Sequence, residues 1–162
     1  MKNNKGFSLV ELIIVIAIMA ILVGVMAPQL IKYIEKTNVS SDTQLCDTVK
    51  NAITTAMMDP SVVTNPSAGI PSANNPTNVS NIGTSTDDTT FAGAVTEILG
   101  FDPTNIDNQI KSEARPGKNG GSVMYEIVGS NSVHVWITNS DNTGKKGSYG
   151  RGDSYDRCRK GN

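Results

Sequence analysis

The sequence predicts an α+β protein: a long N-terminal helix, hydrophobic in its first half, whose second half packs against a small antiparallel sheet. Three observations predict it. Phe7 to Ala27 is a 21-residue run, FSLVELIIVIAIMAILVGVMA, in which Glu11 is the single charge. Apolar residues then recur at steps of three and four from Leu45 to Met57. Two later segments, Ser122–Val128 and Ser132–Thr138, alternate apolar and polar side chains as half-buried strands do.

In chain order, residues 1–6 are a short basic leader carrying Lys2 and Lys5. Residues 7–27, as a helix, would be roughly 31 Å long, about the hydrocarbon thickness of a bilayer. The positive-inside rule keeps Lys2 and Lys5 in the cytoplasm. Residues 28–58 continue the helix as an amphipathic segment, with Leu45, Val49, Ala52, Ile53, Ala56 and Met57 on one face and Asp47, Lys50, Asn51 and Thr54 opposite. Asp59-Pro60 ends it, because the residue before a proline disfavours helical geometry. A helix from Phe7 to Met58 would run roughly 78 Å, too long for one small domain. Its first half must therefore be buried in membrane or in other subunits. Pro28 removes the backbone bond to the carbonyl of Gly24, so Gly24 and Pro28 make the least stable turn of the span, and a kink is expected there.

Residues 59–90 read as a polar surface loop, with Ser, Thr, Asn and Pro at 20 of 32 positions. Such composition favours extended, solvated chain and no core. Residues 91–162 hold the rest of the head: a short helix Phe91–Leu99 closed by Gly100, the two strands joined through Gly129-Ser130-Asn131, and a C-terminal tail. A third strand is expected within 140–160, and 101–118 reads as loop.

Composition narrows the function. One domain's length, 162 residues, argues against a multidomain enzyme. The net charge of −1 offers no global basic field, so no direct nucleic-acid binding is expected. One histidine and two cysteines exclude a Cys/His zinc cluster and leave little for a catalytic triad. No cofactor, no metal and no enzymatic activity are expected. His134, between Val133 and Val135 and on the face of Trp136, reads as a surface or half-buried strand residue. Asn139, Asp141, Asn142, Asp153 and Asp156 offer oxygens but lack EF-hand spacing, and turn formation explains them equally well. Arg151-Gly152-Asp153 and the sequons at Asn38 and Asn78 read as chance matches. The tail 145–160 carries six basic and two acidic residues, whereas 59–113 carries seven acidic and one basic. Solvated surface is the default reading of both.

The N-terminal run has two plain readings, and both leave something over. A cleaved secretory signal expects an apolar core of about 7–15 residues and a small-residue site. Here the core is longer, and the best such site, Val25-Met26-Ala27, precedes Pro28. A simple anchor leaves Glu11 unexplained, since an acid near the centre of a spanning helix costs about 2.5–3.5 kcal/mol. No Lys, Arg or His lies within the rest of the span, so its partner must come from elsewhere.

Gly6-Phe7-Ser8-Leu9-Val10-Glu11 resembles the class III processing signal of type IV pilins and pseudopilins. The likeness continues through the apolar helix to Pro28, covering about the first 30 residues closely. It implies a type IV pilin-like fold, cleavage by a prepilin peptidase between Gly6 and Phe7, N-methylation of Phe7, and an assembly role for Glu11. Cleavage creates an α-amine on Phe7 in an apolar setting, one helical turn from Glu11. Each subunit then carries one unpaired charge of each sign, and pairing Glu11 of an incoming subunit with the Phe7 amine of its neighbour removes both penalties. The resemblance further implies that the Gly24–Pro28 stretch can extend or melt when subunits pack.

The expected life of such a chain begins as a single-pass protein of the cytoplasmic membrane and ends in an extracellular pilus. Its partners are copies of itself, the peptidase, and a pilus assembly platform with its ATPase motor. Adhesion, motility or DNA uptake would then belong to the filament. The alternatives are a pseudopilin of a type II secretion system and a monomeric membrane-anchored binding protein. Many Gram-negative type IV pilins join two cysteines near the C-terminus, and this sequence has only Cys158 there. Cys46 and Cys158 can form one disulfide in an exported protein; the other reading is a buried thiol at Cys46, on the face of Val49 and Ile53.

Overall fold

A computed structural model describes residues 6–65, 67–112, 120–129 and 132–138. The chain divides into two units, residues 1–37 and 38–162. One helix, α1 (Leu9–Met58, 50 residues), passes through both, with Pro28 inside it. The first unit contributes an apolar helix surface on which every residue from Gly6 to Ile34 is exposed. The helix stops where the sequence predicts: Asp59 takes an extended backbone (φ −68°, ψ 122°) and caps a second short helix, α2 (Pro60–Thr64). Threonines along α1 hold their hydroxyls on the carbonyl one turn back, Thr43 on Val39 at 3.0 Å and Thr54 on Lys50 at 2.7 Å.

In the second unit, the buried face of α1 consists of Asp42, Cys46, Val49, Ala52, Ile53 and Ala56. Leu45 and Met57, expected in the stripe, sit at its margins, partly buried against the core. The sheet has the order β1-β2-β3, from β1 (Thr77–Asn78), β2 (Val123–Val128) and β3 (Ser132–Ile137), all antiparallel. The β2–β3 register runs from Val123↔Ile137 to Val128↔Ser132, and Gly129 leaves β2 at φ +66°. Val123, Tyr125, Ile127, Val133, Val135 and Ile137 form one buried face and join the α1 stripe in a single core. That core also takes Phe91, Ala94, Val95 and Leu99 from α3 (Phe91–Leu99), which is capped by Thr90 and ends at Gly100 with φ +71°. Burial pushes the Tyr125 hydroxyl up to about 12.

Several expectations need correction. The third described strand is Thr77–Asn78, paired with Tyr125 and Met124, within the stretch read as loop. A two-residue strand shows no alternation, so no period-2 signal existed to find it. The expected strand within 140–160 lies outside the described residues. Strict alternation fails on the sheet's second face, where Met124 and Trp136 are buried as well. The indole Nε1 of Trp136 has no hydrogen-bond partner among the described residues.

Nor is 59–90 a coreless coil. It places Val62, Ala68 and Val79 in the core and folds a 3₁₀ turn at Val79–Ile82. Its order comes from a repeated local clasp in which an Asp or Asn side chain accepts the main-chain N–H two residues on. Asp59 receives Ser61 at 2.8 Å, Asn65 receives Ser67 at 2.9 Å, Asn78 receives Ser80 at 2.9 Å, and Asp87 receives Thr89 at 3.0 Å. The Ser61 and Thr89 hydroxyls, then their amides, hold the Asp59 and Asp87 carboxyls below the usual carboxylate range. Longer ties fix the loop to the sheet and α3, from Asn74 N–H to the Ile127 carbonyl at 2.7 Å and from Phe91 N–H to the Ala68 carbonyl at 2.8 Å.

Within 101–118, also read as loop, a 3₁₀ helix at Pro103–Gln109 buries Ile106, and Ile110 follows it into the core. Two carboxylates secure this segment. Asp107 accepts the Val123 amide at 2.7 Å, tying it to the start of β2. Asp42, only 2 % exposed, accepts the amides of Lys111 at 2.8 Å and Ser112 at 3.1 Å. Asp42→Ala removes both of these charge-assisted bonds and should lower stability by about 2–4 kcal/mol, with Asp42→Asn falling between. Chemical denaturation of the three proteins, followed by circular dichroism, measures the difference.

Gly93 is required for space. A Cβ there would overlap the Asp87 carbonyl oxygen, while the Gly93 amide donates to Thr90 Oγ1 at 3.1 Å. Gly93→Ala must push the Asp87–Thr90 turn off α3, costing about 1–3 kcal/mol, visible as a lower unfolding temperature.

Candidate processing and assembly site

The site lies at the start of α1. Gly6, Phe7 and Ser8 precede the helix and are exposed, Phe7 at 91 %. The Gly6–Phe7 peptide bond is therefore in non-helical, accessible chain, the state in which a protease can take a substrate backbone.

Ser8-Leu9-Val10-Glu11 fits the S-x-x-E pattern of a capping box. Its reciprocal arm is present: the Ser8 N–H donates to Glu11 Oε2 at 2.8 Å, while the Leu12 N–H reaches the Ser8 carbonyl at 3.3 Å. An acidic group in the first turn also suits the positive end of the helix dipole. Among the cations of the sequence, none in the span offers Glu11 a partner. The structure supplies a neutral one, the amide three residues back. The sequence reading missed that role for Ser8, although the spacing that signals it is visible.

From Leu9 onward the helix is long and apolar enough to cross a membrane, and none of its most apolar 18-residue window is buried. Gly24 and Pro28 lie inside an unbroken helical assignment. A Cβ at Gly24 would meet nothing within 4 Å among the described residues.

The remaining candidates are not brought to this end. Cys46 is buried in the head core, on the face shared with Val49 and Ile53, and Cys158 lies outside the described residues. So do Asn139, Asp141, Asn142, Asp153 and Asp156. Among the described residues, no three His, Cys, Asp or Glu side chains gather as a metal site. His134 is half-buried on β3, directly across the ladder from Glu126.

Residues 1–27 match the family model of the prokaryotic N-terminal methylation motif, the hallmark of type IV pilins and pseudopilins. The matched stretch contains Gly6, Phe7, Ser8 and Glu11 and the apolar helix up to Ala27. The motif is consistent with a pilin- or pseudopilin-like chain. No solved structure matches the chain.

Proposed function

We propose that this chain is a structural pilin subunit, cleaved after Gly6, N-methylated on Phe7 and polymerised into a type IV pilus displayed outside the cell. The observation that carries this reading is the coincidence of the methylation motif with a fully exposed apolar helix that continues into a folded α+β head. The apolar half serves first in the bilayer and then in the filament core, while the head forms the outer surface. The chain acts by assembly and not by catalysis. Adhesion, motility or DNA uptake are properties of the finished filament, its assembly platform and its ATPase motor.

Glu11 is the residue on which polymerisation turns. The Ser8 N–H holds Oε2 at 2.8 Å, and the carboxyl has capacity for a further donor, the Phe7 ammonium of a neighbouring subunit. Glu11→Ala should insert into the membrane as the native chain does, yet yield far less filament. Comparing the sheared surface fraction with the membrane fraction by immunoblot reads this, and a normal filament yield contradicts the role.

The reading as a whole is tested by intact mass spectrometry of filaments sheared from native cells. The expected mass begins at Phe7 and is raised by about one methyl group. Recovery of processed chain in membranes alone would favour a pseudopilin. A chain with its leader intact, found only in membranes, would overturn the proposal.

A further inference from the structure

The exposed part of α1 is longer than a bilayer needs, and something must decide which part of it lies in the hydrocarbon. From Leu9 to Ile34 there are 26 exposed residues, about 39 Å of helix, against a hydrocarbon core of about 30 Å. An unanchored span of this length can slide or tilt through several residues at little cost. Depth matters here because Glu11 and the Gly6–Phe7 bond lie at one end of the run.

At the other end, three residues share a short stretch of α1: Lys32, Tyr33 and Lys36. All three are exposed, and the Lys36 ammonium stands 5.9 Å from the centre of the Tyr33 ring. Lysines with long apolar stems and a tyrosine with a polar tip are the side chains that settle at a membrane–water interface. Burial by protein begins just beyond them, with Glu35, Asn38 and Val39 partly covered, and the first structural unit ends at Thr37. The stretch thus closes the continuous part of the helix that the described residues leave exposed.

We infer that Lys32, Tyr33 and Lys36 form an interfacial belt that binds the phosphate headgroups of anionic lipids and sets the depth of the helix. The inference rests on the membrane-anchored reading above. Its geometry has a direct consequence for the processing site. Lys32 follows Glu11 by 21 positions, about 32 Å along the helix, which is the hydrocarbon thickness. With the belt in one headgroup layer, Glu11 comes to the opposite hydrocarbon boundary and not the centre. The cost of an acid falls steeply there, and Gly6–Phe7 emerges among headgroups on the leader side. The lysines act as positioning residues for a site they never touch.

The test uses the full chain in vesicles of phosphatidylglycerol and phosphatidylcholine, with Tyr33→Trp as a depth probe. Trp136, in the head, gives a constant background measured in the chain without that change. Lipids brominated near the headgroup should quench the introduced indole strongly, and lipids brominated near the chain ends weakly. Adding Lys32→Ser and Lys36→Ser should move the probe deeper by about one helical turn, ~5 Å. Lys32→Arg with Lys36→Arg should restore the native depth, and pure phosphatidylcholine should shift the native chain toward the serine variant. Depth unchanged by the serine pair, or depth that follows protein density because a neighbouring copy supplies the partner, overturns the belt alone. Absence of quenching by every brominated lipid shows that the chain does not enter the bilayer and overturns the membrane reading with it.

Discussion

Apolar surface that the described residues leave uncovered is the constraint on which this molecule depends. From Leu9 to Ile34, α1 exposes a sequence of Leu, Ile, Val and Met side chains, most of them more than half accessible. Each such side chain gains about 1.5–3 kcal/mol on leaving water, so a dozen or more represent tens of kcal/mol. That exceeds the whole stability of an ordinary domain, about 5–15 kcal/mol. An aqueous monomer is therefore not a lasting state of this chain. A bilayer satisfies the surface without specificity, and other copies of the same helix satisfy it with a register.

The second half of the helix obeys the opposite rule. There the same α-helix turns a stripe of small and branched residues, Val49, Ala52, Ile53 and Ala56, into the centre of a core shared with β2, β3 and α3. The polar connections that surround this core are held by short carboxylate and amide clasps as well as by a few buried apolar side chains, with Asp42 and Asp107 as the two longer ties. A surface built this way can vary in sequence between clasps while the helix and sheet stay fixed.

Much of this was legible in the sequence because it follows from periodicity. The α1 helix, its end at Asp59-Pro60, α3 with Gly100, and the β2–β3 hairpin each rest on a repeat of 3.6 or 2 together with a cap or a turn residue. What escaped has no period. Thr77–Asn78 becomes a strand because Tyr125 and Met124 offer it partners. Ile106 and Ile110 are core residues placed by a 3₁₀ helix whose pattern over seven residues resembles loop. Asp42 carries no sequence signal of its role, which depends on amides 69 and 70 positions away. At the processing site, Gly6, Phe7 and Glu11 stood out as residue types in an unusual setting. Ser8 did not, because its contribution is a backbone N–H that any residue but proline would supply.

That last contact bears on how one glutamate serves two purposes. A carboxylate has two oxygens and room for several donors, so accepting the Ser8 amide leaves capacity for a second partner. An amide hydrogen bond orients the group and lowers its desolvation penalty without cancelling its charge. The cap thus keeps the Glu11 carboxyl aimed toward the N-terminal end of the helix. On the reading proposed above, processing at Gly6 would create a cation on Phe7 that this carboxyl could meet. Before cleavage, residue 7 has a neutral amide nitrogen and exerts no such pull. On that reading, chemistry at a single peptide bond would convert a chain content with lipid into one with a reason to find its neighbour.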